Sequence, residues 1–291
     1  MNLAVAGADR ATLGIAAMAL ATLVFACNDV VAKWLVGQYG VGQLLLVRSI
    51  GAVALVLLVL RGNVGRLVPV ERPWLHAGRA ALMAFEVSCF YLAVRQLPLA
   101  DVMVIYFGAP IFVTALSVPL LGERVGWRRA LAVVSGFAGI VIAMRPTDVA
   151  FALPAAIALA GSLAYGLMLI SARSLRGTSA VVLAGHQALG VLALGGIAAF
   201  FDWTPVAVPE LALMLLVGCV AFSGHALVNW SLSAAPAAVA APISYLSVVW
   251  ATILGYLVFG DRPAVETVVG CLVVAGSGLY IFFRERRLGL G

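Results

Sequence analysis

Long apolar runs alternate along the chain with short clusters of charge, glycine and proline. Ten such runs read as helices, over residues 11–33, 41–60, 74–94, 100–121, 127–145, 149–173, 179–201, 210–233, 237–259 and 264–283. Each approaches the roughly 20 residues that a helix needs to cross a bilayer. The runs are continuous rather than alternating, which argues against the two-faced strands of a membrane barrel. A helix also satisfies its own backbone hydrogen bonds inside hydrocarbon. The expected fold is all-α and transmembrane, with ten helices.

Composition narrows the possible activities. The 291 residues are 64% hydrophobic and 10% charged, with a mean hydropathy of +1.12. A soluble domain carries about 45–50% apolar and about 25% charged residues. With the spans filled, little chain is left for a separate soluble catalytic domain. The sequence contains no HExxH or GxSxG motif and no GxxxxGK[ST] loop, so metal-assisted hydrolysis, acyl transfer and direct ATP drive have no support. We expect neither enzyme activity nor a cofactor or metal. Cys27, Cys89, Cys219 and Cys271 each fall in an apolar run without a CxxC pair, and they read as small buried hydrophobes.

The net charge of +6 is distributed at span ends rather than on one solvated face, which is not a nucleic-acid pattern. It carries orientation instead. One side holds Arg10, Arg61, Arg66, Arg72, Arg124, Arg128, Arg129, Arg173, Arg176, Arg284, Arg286 and Arg287. The other holds Lys33, Arg95, Arg145 and Arg262. The excess of Lys and Arg marks the cytoplasmic side, so both termini are expected in the cytoplasm of a bacterial-type inner membrane.

The chain also repeats itself. PLADVMVIYFGAPIFVTALSVPLLGER (98–124) aligns with PAAVAAPISYLSVVWATILGYLVFGDR (236–262), matching Pro98 to Pro236, Thr114 to Thr252 and Gly122-Glu123-Arg124 to Gly260-Asp261-Arg262. One residue out of step, Gly139 matches Gly278. The expected units are residues 11–145 and 149–283, with five spans each. An odd number of spans makes the second unit enter the membrane from the opposite face. Such inverted repeats mark secondary transporters, which bind substrate near the midplane between the halves.

These units resemble the EamA units of the drug/metabolite transporter superfamily. The first carries Pro110, Leu121-Gly122-Glu123, Gly136 and Gly139; the second carries Pro242, Phe259-Gly260-Asp261, Gly276 and Gly278. Arg48 in the second span also fits the family. The likeness covers nearly the whole chain. It implies a ten-helix carrier with a central cavity, most often exporting metabolites such as amino acids. Phe85-Glu86 followed by Tyr106-Phe107 before Pro110 is similar to the aromatic amino-acid exporters, although Ala109 stands where that branch tends to carry Trp.

Candidate chemistry lies in the polar residues inside the spans. A charge at the bilayer centre costs about 2.5–3.5 kcal/mol on insertion scales. Asp29, Arg48, Arg79 and Glu86 therefore need a partner, a wet cavity or a function. Asp29, Arg48 and Glu86 fall at similar depth, about one to two helical turns from one face. One Arg between two carboxylates reads as a neutralised cluster. In the functional reading Glu86 or Asp29 faces a substrate ammonium, and Arg48 or Arg79 faces its carboxylate. The alternative is a structural ion pair that locks the first three helices. Asn28, beside Asp29, joins the set.

His76, Arg79, Met83, Glu86 and Phe90 recur at spacings of three or four, on one helical stripe. Its lower part, His76 and Arg79, reads as snorkelling to the cytoplasmic interface, and its upper part as cavity lining. In the second half His225 and Asn229 share a face. Gln187 aligns with Arg48, so the charged cluster is not duplicated. His186 reads as a helix–helix contact. Phe25, Tyr106, Phe107, Tyr165, Tyr245 and Trp250 lie within spans and offer stacking surfaces, with packing or lipid contact as the plainer alternative. The glycines at 136, 139, 276 and 278 suit close packing of the fifth and tenth spans. Pro110, Pro119, Pro154 and Pro242 are expected to interrupt helices.

The expected function is export of a small metabolite, an amino acid first, by alternating access. A nucleoside or vitamin exporter and a lipid translocator are the alternatives. Glu86 is the candidate for proton coupling, with Asp29 second, because low-dielectric surroundings favour the neutral carboxyl. The expected partners are a small-molecule substrate, protons and the lipid bilayer, without nucleic acid, and the unit is expected to work as a monomer.

Overall fold

A computed structural model describes residues 2–67, 71–121, 127–145, 149–172, 175, 178–234 and 243–287. The first half contains α1 (Asn2–Gln38), α2 (Val41–Val59), α3 (Pro73–Val94), α4 (Leu99–Tyr106), α5 (Ala109–Leu121) and α6 (Trp127–Met144). The second contains α7 (Val149–Ala172), α8 (Ala180–Ala199), α9 (Val208–Ala234), α10 (Leu246–Phe259) and α11 (Val265–Arg287). Among the described residues, 7 stretches are long and apolar enough to cross a membrane, and three shorter apolar helices accompany them, Ala130–Met144, Leu246–Phe259 and Val265–Ile281.

Two boundaries differ from the sequence pattern. α1 extends well past both ends of the expected 11–33 run. The expected fourth span is two helices, broken at Phe107 and Gly108. Pro110 explains the break. It has no N–H to give the carbonyl of Tyr106, and its ring clashes with that carbonyl. Gly108 then restarts the ladder, accepting from Ile111 N–H at 2.9 Å and Phe112 N–H at 3.0 Å. A Cβ on Gly108 would meet Ile140 Cδ1 at 2.5 Å. Pro110 thus sits in the first turn of α5, while Pro119 and Pro154 lie inside α5 and α7. Pro236, Pro242 and the Gly122-Glu123-Arg124 motif lie outside the described residues.

The helices pair across the two halves with two-fold logic. α1 packs on α9, and its counterpart α7 packs on α3; α2 packs on α9 while α8 packs on α3; α2 faces α8, α4 faces α10, and α6 faces α11. Exchanging the halves leaves this set of pairings unchanged. The register that aligns Pro98 with Pro236 also aligns Phe107 with Tyr245. These two rings stack on each other, 4.8 Å apart and 28° from parallel. Equivalent residues of an inverted pair meet in this way only close to the symmetry axis.

The core gathers Leu35, Leu44, Tyr91, Leu99, Ile105 and Met214, all buried. Outward positions such as Leu58, Leu153, Leu257 and Leu272 are exposed and apolar, as a lipid-facing perimeter requires. Glycine makes the α6–α11 contact through the expected Gly139 and Gly136, which approach Gly270 and Ser277 of α11. The close approach is Gly139 to Gly270, where a Cβ on Gly270 would sit 2.7 Å from the Gly139 carbonyl, whereas Gly276 faces open space. The α8–α9 connection is fastened by Gln43, wholly buried in α2. Its Nε2 donates to the Thr204 carbonyl at 2.9 Å, and its Oε1 accepts from the Thr204 N–H and hydroxyl.

Candidate functional site

The centre of the bundle brings Asp29 of α1, Arg48 of α2, Glu86 of α3 and His225 of α9 into one electrostatic neighbourhood. The Arg48 charge acts on all three of the others. Asp29, Arg48 and Glu86 are half-buried, and His225 is exposed. The neutralised cluster expected from spacing takes a looser form. Among the described residues, Arg48 makes no ion pair within 4.0 Å. Its guanidinium instead lies over the buried Tyr91 ring, 5.3 Å from the centroid. The Arg48 backbone is itself tightly held, since a Cβ on Gly218 of α9 would lie 1.8 Å from the Arg48 carbonyl oxygen.

Aromatic and amide groups surround these charges. Phe25 meets His225 edge-to-face at 5.0 Å. Asn28 is buried, and its Oδ1 has no hydrogen-bond partner. Such an acceptor costs about 1–3 kcal/mol when left unsatisfied. Tyr165 of α7 lies within electrostatic range of both Glu86 and Arg79. Asn229 lies in α9, and its side chain is not among those described.

Tyr106 ends α4 and reaches back to α3. Its hydroxyl donates to the Glu86 carbonyl at 3.0 Å, and its ring meets Phe90 edge-to-face at 5.3 Å. Room for that hydroxyl comes from Gly161 of α7, where a Cβ would sit 2.1 Å away. Tyr106 therefore positions the Glu86 backbone as well as lining the interior. Replacing Gly161 by Leu is expected to drive Tyr106 off Glu86 and to lower the transport rate about ten-fold, since overpacking costs about 1–3 kcal/mol. Initial transport rates in proteoliposomes check this; Gly161→Ser, which sets the same Cβ against the hydroxyl, should lower the rate in the same direction.

Arg79 does not snorkel. It crosses to α7, where its Nη1 donates to the Met168 carbonyl and to Ser171 Oγ at 3.2 Å. The Met168 carbonyl lies in the last turns of α7, where the helix dipole favours a cation. His76 is also buried rather than interfacial, and it meets His186 of α8. The stripe on α3 thus divides into a lower half that joins helices and an upper half, around Glu86, that faces the charged centre.

The sequence reading missed a second charged cluster, at the bundle end where α1 finishes. Lys33 Nζ pairs with Asp261 at 2.6 Å, donates to the Leu97 carbonyl at 3.0 Å and lies 4.7 Å from the Phe259 ring centroid. Asp101, 1% exposed, pairs with Arg145 at 2.7 Å and accepts from Thr267 Oγ1. Lys33–Asp261 and Asp101–Thr267 both join one half to the other. The signal was present in the repeat motif: Gly260 ends α10 with φ 73°, the left-handed conformation that glycine tolerates at a helix end. That turn delivers Asp261 to Lys33 and leaves Phe259 beneath it. Asp101 was legible only as an acid at a span end, on the same side as Lys33 and Arg145.

Two surface grooves of about 370 Å³ each lie on the perimeter, one between α6 and α11 beside Trp127 and Tyr280, the other between α2 and α9 beside Leu55 and Trp230. Neither contains the central charges. Among the described residues, no group of three His, Cys, Asp or Glu side chains is placed to hold a metal ion.

The EamA-like transporter family model matches this chain twice, over residues 12–145 and 152–283. The chain belongs to the EamA-like transporter family. It is accordingly a multi-pass membrane transporter rather than an enzyme. It is 24% identical over 218 residues to an S-adenosylmethionine uptake transporter of Rickettsia bellii, covering 75% of each chain. A riboflavin transporter of Rhizobium johnstonii is 25% identical over 296 residues, covering 96% of this chain and 94% of the relative. A pseudopaline exporter of Pseudomonas aeruginosa is 22% identical over 275 residues, covering 91% and 94%. None of these three is named for aromatic amino acids. A solved structure superposes with a TM-score of 0.61 at 18% identity, over 97% of this chain and 99% of the other, and so shares the fold.

Proposed function

We propose that this transporter exports a small metabolite carrying an α-amino-acid group and a ring, in exchange for protons, with its two five-helix halves (residues 11–145 and 149–283) alternating access. The observation that carries this reading is two carboxylates, Asp29 and Glu86, within the field of one guanidinium, Arg48. One guanidinium balances one carboxylate. In a low-dielectric interior the second carboxylate requires either a proton or an external cation. A substrate ammonium and a proton then compete for the same place, and binding one releases the other. If Arg48 also faces the substrate carboxylate, only a cargo of net charge +1 leaves the site as neutral as the proton did. Phe25 and Tyr106 offer faces to the ring.

One of the relatives is named for a cargo of this kind. S-adenosylmethionine combines an α-amino-acid group, a sulfonium and an adenine ring, and its extra positive charge suits a site with two acids and one base. Riboflavin is the second candidate, since the alignment with its named transporter spans nearly the whole chain. It has a ring but no ammonium, so it would not compete with a proton. The excess of Lys and Arg on one side supports cytoplasmic termini in an inner membrane.

Proteoliposome flux tests the reading. Counterflow is to be measured with S-adenosylmethionine, aromatic and aliphatic amino acids, and riboflavin, with and without a pH gradient. Accelerated flux of an α-amino-acid cargo under a proton gradient is expected. Glu86→Gln should keep exchange but lose its dependence on the gradient. Full gradient dependence in Glu86→Gln would remove Glu86 from coupling, and flux of riboflavin alone would replace the proposed cargo class.

A further inference from the structure

Toward the end of the bundle opposite Lys33, two imidazoles from different halves meet. His76 Nδ1 of α3 lies 3.0 Å from His186 Nδ1 of α8, and the rings meet edge-to-face at 4.8 Å. His186 Nε2 lies 2.9 Å from the carbonyl of Leu67 in the short turn Val64–Leu67. These contacts assign the protons. A carbonyl only accepts, so His186 carries hydrogen on Nε2 and a lone pair on Nδ1. His76 must then donate from its own Nδ1. That leaves His76 Nε2 as a lone pair, buried and without a partner.

We propose that the His76–His186 contact is a proton-sensitive latch between the two halves, closed when both rings are neutral and released when the pair takes up a proton. Only two atoms can accept that proton. On His186 Nδ1 it would set two N–H groups facing each other at 3.0 Å and abolish the bond. On His76 Nε2 it would create a buried cation with no acceptor, in the field of Arg79. Either site favours swinging His76 out to water. The other ionisable groups on the elements around the pair are Arg48 on α2 and Arg61 after it, Arg66 in the turn, Glu71 and Arg72 ahead of α3, Glu86, Cys89 and Tyr91 on α3, and Tyr165 on α7. Arg61, Arg66, Glu71 and Arg72 are exposed, and α8 carries none besides His186. The latch is independent of the cargo: it concerns which end opens, not what is bound.

Hydrogen exchange of the full chain in lipid nanodiscs tests this. After correction for intrinsic exchange rates, amides at the starts of α3 and α8 are expected to lose protection about ten-fold between about pH 8 and about pH 5.5, the range in which an imidazole titrates. The starts of α1 and α7 should change much less. The double variant His76→Gln/His186→Gln, which keeps a donor and an acceptor between α3 and α8 and titrates at neither position, should remove most of the change. An unchanged wild type overturns the proposal, as does a double variant that loses protection as the wild type does. If the double variant does not fold, His76→Asn/His186→Gln takes its place with the same two outcomes.

Discussion

Replacing Arg48 by Gln is expected to reduce transport at least about 100-fold while leaving the fold intact. The change leaves Asp29 and Glu86 without that cation, and at about 1.4 kcal/mol per factor of ten a loss of about 3 kcal/mol is about 100-fold. The loss should fall on cargo binding and coupling together, because Asp29, Glu86 and His225 all sense this one cation. Arg48→Lys separates charge from shape. It keeps the positive charge but loses the planar group over Tyr91, so a loss of about ten-fold is expected. Cargo-dependent thermal shifts read binding, and proteoliposome flux reads the cycle. An Arg48→Gln protein that transports at the wild-type rate would make this arginine a packing residue.

The largest effect on stability is expected at Asp101. Its carboxylate is buried, paired with Arg145 and hydrogen-bonded by Thr267 of the other half. Breaking a buried pair by removing one partner costs about 3–5 kcal/mol, so Asp101→Ala should lower the melting midpoint by roughly 10 °C. Thr267→Val removes one hydrogen bond to a charged acceptor and should cost about 1.5–3 kcal/mol. Lys33→Ala, at a partly exposed pair on the same end, should cost less than Asp101→Ala. Melting of the purified protein in one detergent ranks the three. A midpoint for Asp101→Ala within about 2 °C of wild type would show that this end is not held by its ion pair.

Most of the architecture was legible because it follows from local and periodic constraints. A bilayer demands long apolar helices, and the runs announce them without reference to one another. The duplication survives as Pro98 and Pro236, and its five-span period implies the inversion that the helix pairings display. The central charges were legible for a similar reason: Asp29, Arg48 and Glu86 are conspicuous where hydrocarbon penalises charge. Charge near a span end is not penalised in that way, so Asp101 drew no attention. Arg79 and His76 read as snorkelling because the sequence does not say which helices become neighbours. In the fold, α7 and α8 supply their partners, Met168 and His186, 89 and 110 residues away.

The sequence by itself determined a membrane-spanning all-helical chain, its division into two like halves, and the few interior groups with chemistry to perform. These depend on solvent and period, which act on each segment separately. Only the tertiary structure decided that one guanidinium stands near two carboxylates without touching them, and that Phe107 stacks on its own repeat equivalent. Only it decided that ion pairs join the halves at one end and a pair of histidines at the other. Those features depend on distances of a few ångströms between helices far apart in sequence. Close approach at Gly139, Gly161 and Gly218, and the break ahead of Pro110, set those distances.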